Sequence, residues 1–100
     1  MVMQDYIGQT IAASYFRGIE SVGGKICFDD NGLNFQSHAM NIQRGDTRIE
    51  YSDVACLNKR NTLGFVPNGI SILTKDGFEH KFIVNDRNSV LEFLHSKCGI

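Results

Sequence analysis

The chain has 100 residues, enough for one hydrophobic core and too few for two. Hydrophobic residues make up 42% of it and charged residues 21%, the usage of an ordinary globular domain and not of a disordered or coiled-coil chain. Ten basic against eleven acidic residues leave a formal net charge of -1, which excludes a global positive field for gathering phosphate backbones or acidic membranes, so any anion site must be a local patch.

Residues 1–13 are weakly patterned: Tyr6, Ile7 and Ile11 are spaced for either a short helix or a lead-in strand over an open end of a sheet. The stretch carries Asp5 and lacks a basic start and an apolar core, so no secretory signal is read and the cytoplasm, with peripheral contact to membranes, is the expected location. Apolar stretches such as 63–67 and 70–73 fall far short of the roughly 20 residues that span a bilayer. From Ser14 the texture changes. Tyr15, Phe16 and Ile19 form an aromatic-rich strand predicted to end at the turn cluster Ser21-Val22-Gly23-Gly24.

Residues 25–29 alternate, with Ile26 and Phe28 on one face and Lys25, Cys27 and Asp29 on the other, up to Asn31-Gly32. Asn-Gly between alternating runs is a strong hairpin signal because both residues tolerate positive φ. Leu33 and Phe35 continue the inner face, which predicts a hairpin over 25–37. Met40 and Ile42 alternate with Asn41 and Gln43 as far as Arg44-Gly45-Asp46, and Thr47, Ile49 and Tyr51 complete a second hairpin. Ser52-Asp53 breaks that run, and 54–59 reads as a further strand. Residues 61–69 read as a loop holding two glycines, the only proline and the apolar trio Leu63, Phe65 and Val66. Residues 70–74 and 78–84 flank Lys75-Asp76-Gly77 as a third hairpin. Asn85 or Asp86 is placed to cap a final helix, in which Val90, Leu91, Leu94 and Cys98 recur at helical spacing beside Phe93, with Arg87, Glu92 and Lys97 on the wet side. The fold class read from this order is mainly β with one helix: a strongly bent antiparallel sandwich or partly open barrel of about seven strands, capped by the C-terminal helix.

Several of these stretches resemble a known family. The glycine turn and aromatic strands of 24–35, the segment IEYSDVACLNKR from Ile49 to Arg60, the NTLGFVPNGI loop, the KDGFEHKFIV hairpin and the closing helix resemble GRAM domains, relatives of pleckstrin-homology domains. Ser52-Asp53-Val54 matches the start of a family strand, and Lys59-Arg60 stands near its end. The resemblance covers residues 14–97 by pattern, leaving 1–13 as a lead-in segment and 98–100 as a tail. It implies a seven-stranded bent sheet with a helix cap, and binding of membrane lipids, often phosphoinositides, or of proteins rather than catalysis. The sequence departs from the lipid-binding pattern of the superfamily, whose phosphoinositide sites gather several basic residues around the first hairpin turn. Here that segment offers Arg17 and Lys25 among Glu20, Asp29 and Asp30.

Lys59 and Arg60, with Arg17 and Lys25 if the fold brings them near, are the candidate ligand-binding residues for an anionic headgroup, since a phosphate needs converging donors. The plain alternative is a solvated strand end. Leu63, Phe65 and Val66 form either an exposed apolar tip that enters a membrane or a partner's groove, or a plug folded back into the barrel. Arg44-Gly45-Asp46 spells an adhesion tripeptide but is also what a hairpin turn requires. His38, His80 and His95 have no metal-ligand spacing, and no cofactor or catalytic motif is read. Cys27, Cys56 and Cys98 are expected to be reduced, buried thiols. Gly23, Gly24 and Gly64 are taken as turn glycines, and Tyr15, Phe16, Phe28 and Phe35 as core. Balanced charge argues against nucleic acid. The expected function is that of a non-catalytic module on phospholipid headgroups or membrane surfaces. The alternative is a protein-interaction or self-association module, a homo-oligomer for instance, using a strand edge or the 63–67 loop.

Overall fold

Period-two alternation of apolar side chains organises almost the whole chain into strands that bury one face. The computed structural model describes residues 5–38 and 46–100. In chain order these form β1 (Thr10–Arg17), β2 (Glu20–Phe28), β3 (Gly32–Ser37), β4 (Thr47–Glu50), a 3-10 turn (Tyr51–Asp53), β5 (Val54–Thr62), β6 (Val66–Thr74), β7 (Glu79–Val84) and α1 (Arg87–Cys98). The seven strands make one antiparallel sheet in the order β4-β3-β2-β1-β7-β6-β5. The 3-10 turn carries the chain from one margin of the sheet to the other, and the sheet curls into a half-barrel. This is the expected pleckstrin-homology-like, partly open barrel with a C-terminal helix cap. Residues 40–43 and the Arg44-Gly45 part of the tripeptide lie outside the described residues.

The inner face supplies the core: Tyr15, Ile26, Phe35, Ile70, Ile72 and Phe82 are all buried. The helix adds Val90, Leu91, Phe93 and Leu94, the stripe expected from its spacing. Phe93 presents its ring to Tyr6 and Phe28 edge-on at 5.4 Å each, and to Tyr51 at 6.3 Å. Such edge-to-face pairs set the helix across this end of the barrel. Asp86 occupies the N-cap position without a side-chain cap bond, and Gly99 closes the other end at φ 72.

Three boundaries differ from the sequence expectation. β1 begins at Thr10, not Ser14, because Thr10 to Ala13 pair backbone to backbone with 24–27 of β2, a bond that needs no apolar pattern. Tyr6, only 5% exposed, donates its hydroxyl to Ser89 Oγ at 3.0 Å, so this residue of the lead-in segment belongs to the core. Gly23 and Gly24 lie inside β2, and the turn sits instead at Gly18, φ 65, and Ile19. A Cβ on Gly24 would overlap the Gln36 carbonyl oxygen and stand 2.8 Å from Phe35 Cζ: the bend presses β3 onto β2 there, and only glycine fits. Finally, 61–69 is no loop. β5 runs on to Thr62 and β6 starts at Val66, with Pro67 tolerated beside a register shift between Arg60 and Thr62.

The β2–β3 turn is fixed by Asp29, whose Oδ1 accepts the amides of Asn31 and Gly32 at 2.8 and 2.9 Å. Arg48 of β4 donates to its Oδ2 at 2.6 Å and to Glu50 at 2.6 Å, and the Tyr51 hydroxyl donates to its carbonyl at 2.8 Å. The Arg48 hydrogen bond first, then the Asn31 amide, hold the Asp29 carboxyl well below the usual carboxylate range. A folded pKa depressed in this way contributes stability that is whole above the unfolded value near ~4 and is lost as pH falls through the lower folded value. Asp29→Asn should therefore lose less stability than the parent between pH 7 and pH 3 in urea titrations, by a modest amount because the pair is solvent-exposed. Equal losses in the two proteins would disprove the role.

Candidate functional site

Three hairpin tips expose large apolar side chains: Phe78 at the β6–β7 tip, which stands edge-on to His80 at 4.7 Å, and those of two tips that flank a cavity. At the β1–β2 tip Ile19 is 99% exposed, and at the β5–β6 tip Leu63 and Phe65 are 81% and 73% exposed. The latter turn is closed by the Phe65 amide, which donates to the Thr62 carbonyl at 3.2 Å, and by Thr62 Oγ1, which donates to Asn68 Oδ1 at 2.5 Å. Its central residues, Leu63 at φ 55 and Gly64 at φ 81, both take the left-handed conformation that such turns demand. Glycine does this freely. A leucine there costs about 1–2 kcal/mol, and with its side chain in water it gains nothing inside the fold that offsets the cost.

Between the two tips lies a cavity of about 350 Å³ on the outer face of the sheet. Phe16, Arg60, Gly69, Lys81 and the fully buried Phe82 line it, the strand neighbours Tyr15 and Ile70 turn inward, and Ile19 and Leu63 form its rim. Gly69 carries no side chain to fill it, and its backbone lies close under Arg60, whose Cβ would stand 3.1 Å from an added methyl group. Arg60 Nη1 approaches Glu79 Oε2 at 3.5 Å, and the Ser71 hydroxyl donates to the same oxygen at 2.5 Å. The Ser71 hydrogen bond, with smaller contributions from Lys81 and Arg60, lowers the pKa of Glu79, so it stays ionised. From behind, Arg87 of α1 donates to the Arg60 carbonyl at 2.8 Å and to Asn61 Oδ1 at 3.1 Å, fastening the root of the tip to the helix.

The four basic residues singled out in the sequence do not converge. Arg60 lines the cavity, but Lys59, adjacent on the same strand, projects from the opposite face. Arg17 is exposed opposite Glu20 at the end of β1, flanked by the cavity residues Phe16 and Gly18. Lys25 is exposed on β2 between Ala12 and Gln36, away from the cavity walls. The two ways of placing the apolar trio are decided in favour of the tip: Leu63 and Phe65 stand in solvent, and only Val66, half-buried, opens β6. Lys81, Glu79 and Ile19 escaped the sequence reading. The inward Phe82 and Val84 imply an outward Lys81, whereas Ile19 was concealed by the apolar run that precedes it.

Other groups stand apart from this site. His80 Nδ1 lies 2.8 Å from the Tyr15 hydroxyl, and burial lowers its pKa. Cys56 is exposed, contrary to expectation, because it sits on the outer face of an edge strand; Cys27 and Cys98 are half-buried, and burial pushes the Cys98 thiol up to about 11. Among the described residues no group of three or more His, Cys, Asp or Glu is placed to hold a metal ion, and no helix is long and apolar enough to cross a membrane.

No protein-family model and no curated protein matches the sequence. Among solved structures, the crystal structure of the C-terminal domain of an unknown protein from Leishmania infantum is similar, with a TM-score of 0.79 and 17% identity over 94% of this chain and 84% of that one. The likeness is one of fold.

Proposed function

We propose that this domain is a non-catalytic module of the GRAM type that adsorbs to anionic membrane surfaces through its two apolar hairpin tips. The observation that carries the reading is the trio Ile19, Leu63 and Phe65, held in water, the first two at the rim of a cavity lined by Arg60 and Lys81. Apolar tips flanked by cations suit the boundary between acyl chains and headgroups, where each nearby Lys or Arg adds about 1 kcal/mol on an anionic leaflet. The resemblance of the sequence to GRAM domains supports the same reading. Since the chain's formal net charge is -1, attraction has to come from a local patch and not from the whole surface. Flotation with vesicles of neutral and increasingly anionic composition tests it: binding should rise with anionic content, weaken with salt and fall at least about tenfold in Arg60→Glu, Lys81→Glu. Flotation unaffected by composition and by the double variant would defeat the proposal.

A second reading has one observation of its own. Among the described residues β5 is a nine-residue margin of the sheet that pairs with a strand on one side, which supports strand addition by a partner or by a second copy. A stable oligomer indifferent to the charge reversals would favour it.

A further inference from the structure

We infer that the cavity between the hairpin tips takes the headgroup of a single phospholipid with one net negative charge, a phosphodiester with its apolar glycerol ester region, rather than a multiply phosphorylated headgroup. The inference rests on the membrane reading and narrows it to a ligand class. Its first support is charge balance. Two cations, Arg60 and Lys81, line the cavity, and one carboxylate outside the lining, Glu79, approaches Arg60 at 3.5 Å, leaving a local net charge of +1. Glu79 does not relieve repulsion by taking a proton, because the Ser71 hydroxyl stabilises its ionised form. A headgroup with several phosphates would bring surplus charge to an unmatched wall, and the carboxylate would oppose it, whereas a phosphodiester monoanion neutralises the site.

The second support is the character of the lining. A volume of about 350 Å³ belongs to the small end of ligand sites. Phe16, Ile19 and Leu63 face a ligand with an apolar portion, which a free inorganic or sugar phosphate lacks. Arg60 meets Glu79 at 3.5 Å with one of its nitrogens, and the guanidinium has five N–H donors in all, enough for a second oxyanion. Among the described residues Lys81 forms no ion pair within 4.0 Å, so its ammonium is available as well.

The test is an amide chemical-shift titration of the full chain with three probes: monomeric dihexanoyl-phosphatidylglycerol, glycerophosphoglycerol as the same headgroup without acyl chains, and inositol 1,4,5-trisphosphate. The short-chain lipid should shift the amides of Ile19, Leu63 and Lys81, and bind at least about tenfold more tightly than the other two. Lys81→Ala should weaken it about tenfold, and Glu79→Gln, which raises the wall to +2, should favour the trisphosphate relative to the lipid. Tighter binding of the trisphosphate, equal binding of the acyl-free headgroup, shifts mapping elsewhere or no shifts would each overturn the inference. Flotation without binding of the short-chain lipid would overturn it while leaving adsorption intact. Short-chain-lipid binding without flotation would uphold the cavity and defeat adsorption.

Discussion

Replacing Ile19 and Phe65 with Ser and Leu63 with Asn is expected to abolish adsorption to anionic vesicles without harm to the fold. Each of these side chains is exposed, so the folded protein loses little contact when it is shortened. On a membrane the same side chains would leave water, and full burial of a large aliphatic or aromatic group is worth about 1.5–3 kcal/mol. Three partly inserted groups together should carry a factor of about 10²–10³ in affinity. Leu63→Asn alone separates function from stability. Asparagine accepts the left-handed backbone that Leu63 occupies at φ 55, so the single variant should be more stable than the parent by about 1 kcal/mol yet bind vesicles more weakly. Urea titration and flotation on the same sample read the two effects. A less stable Leu63→Asn protein, or undiminished flotation of the triple variant, would show that the tip serves the fold and not a surface outside it.

The two adjacent glycines of β2 should respond oppositely to the same added methyl group. At Gly24 it would collide with the Gln36 carbonyl and with the ring of Phe35, neither of which can give way. The carbonyl belongs to the β3 backbone paired with β2, and Phe35, 0% exposed, is packed on Tyr15 and Phe82 at 5.4 and 5.9 Å. Gly24→Ala should therefore cost about 3 kcal/mol, a large part of the 5–15 kcal/mol typical of a domain, and lower Tm by about 10–20 °C. At Gly23 the nearest atom to the new methyl would be His38 Cδ2 at an ordinary 3.8 Å, and the backbone is not left-handed. Gly23→Ala should be neutral or gain up to about 1 kcal/mol by restricting the unfolded chain. Thermal unfolding of the pair decides it; similar Tm values would mean that the strands part more easily than their packing indicates.

The sheet was readable wherever a turn residue and an alternating run coincided, as at Lys75-Asp76-Gly77, and the helix wherever apolar residues recurred at its period; the hairpin over 25–37 formed too, though neither Asn31 nor Gly32 takes positive φ and Gly32 already belongs to β3. What misled was glycine and proline read as punctuation. Gly24 stands inside a strand because another strand approaches it closely, and Pro67 beside a register shift; both are tertiary facts with no local trace. The candidate site was half legible. Arg60 and the apolar tip stand out in the sequence, but side chains adjacent in a strand point apart, so the pair Lys59-Arg60 that looks strongest on paper cannot grip one anion. The cation that joins Arg60 comes from β7, 21 residues away, and only the sheet order makes them neighbours.

That sheet order also sets how the protein must assemble. Every pairing joins strands adjacent in sequence except the seam, where Ala13, Ser14 and Tyr15 of β1 meet Val84, Ile83 and Phe82 of β7, while β4 and β5 stand at opposite margins. Two meanders, β1 to β4 and β5 to β7 with the helix, can each form hairpins locally in about 1–10 μs, while closing the seam means bringing together segments from opposite ends of the chain. Phe16 and Ile19 belong to the first meander, and Arg60, Leu63 and Lys81 to the second. The cavity therefore does not exist in either half and requires the closed seam, so occupancy by a ligand would help to hold the seam shut.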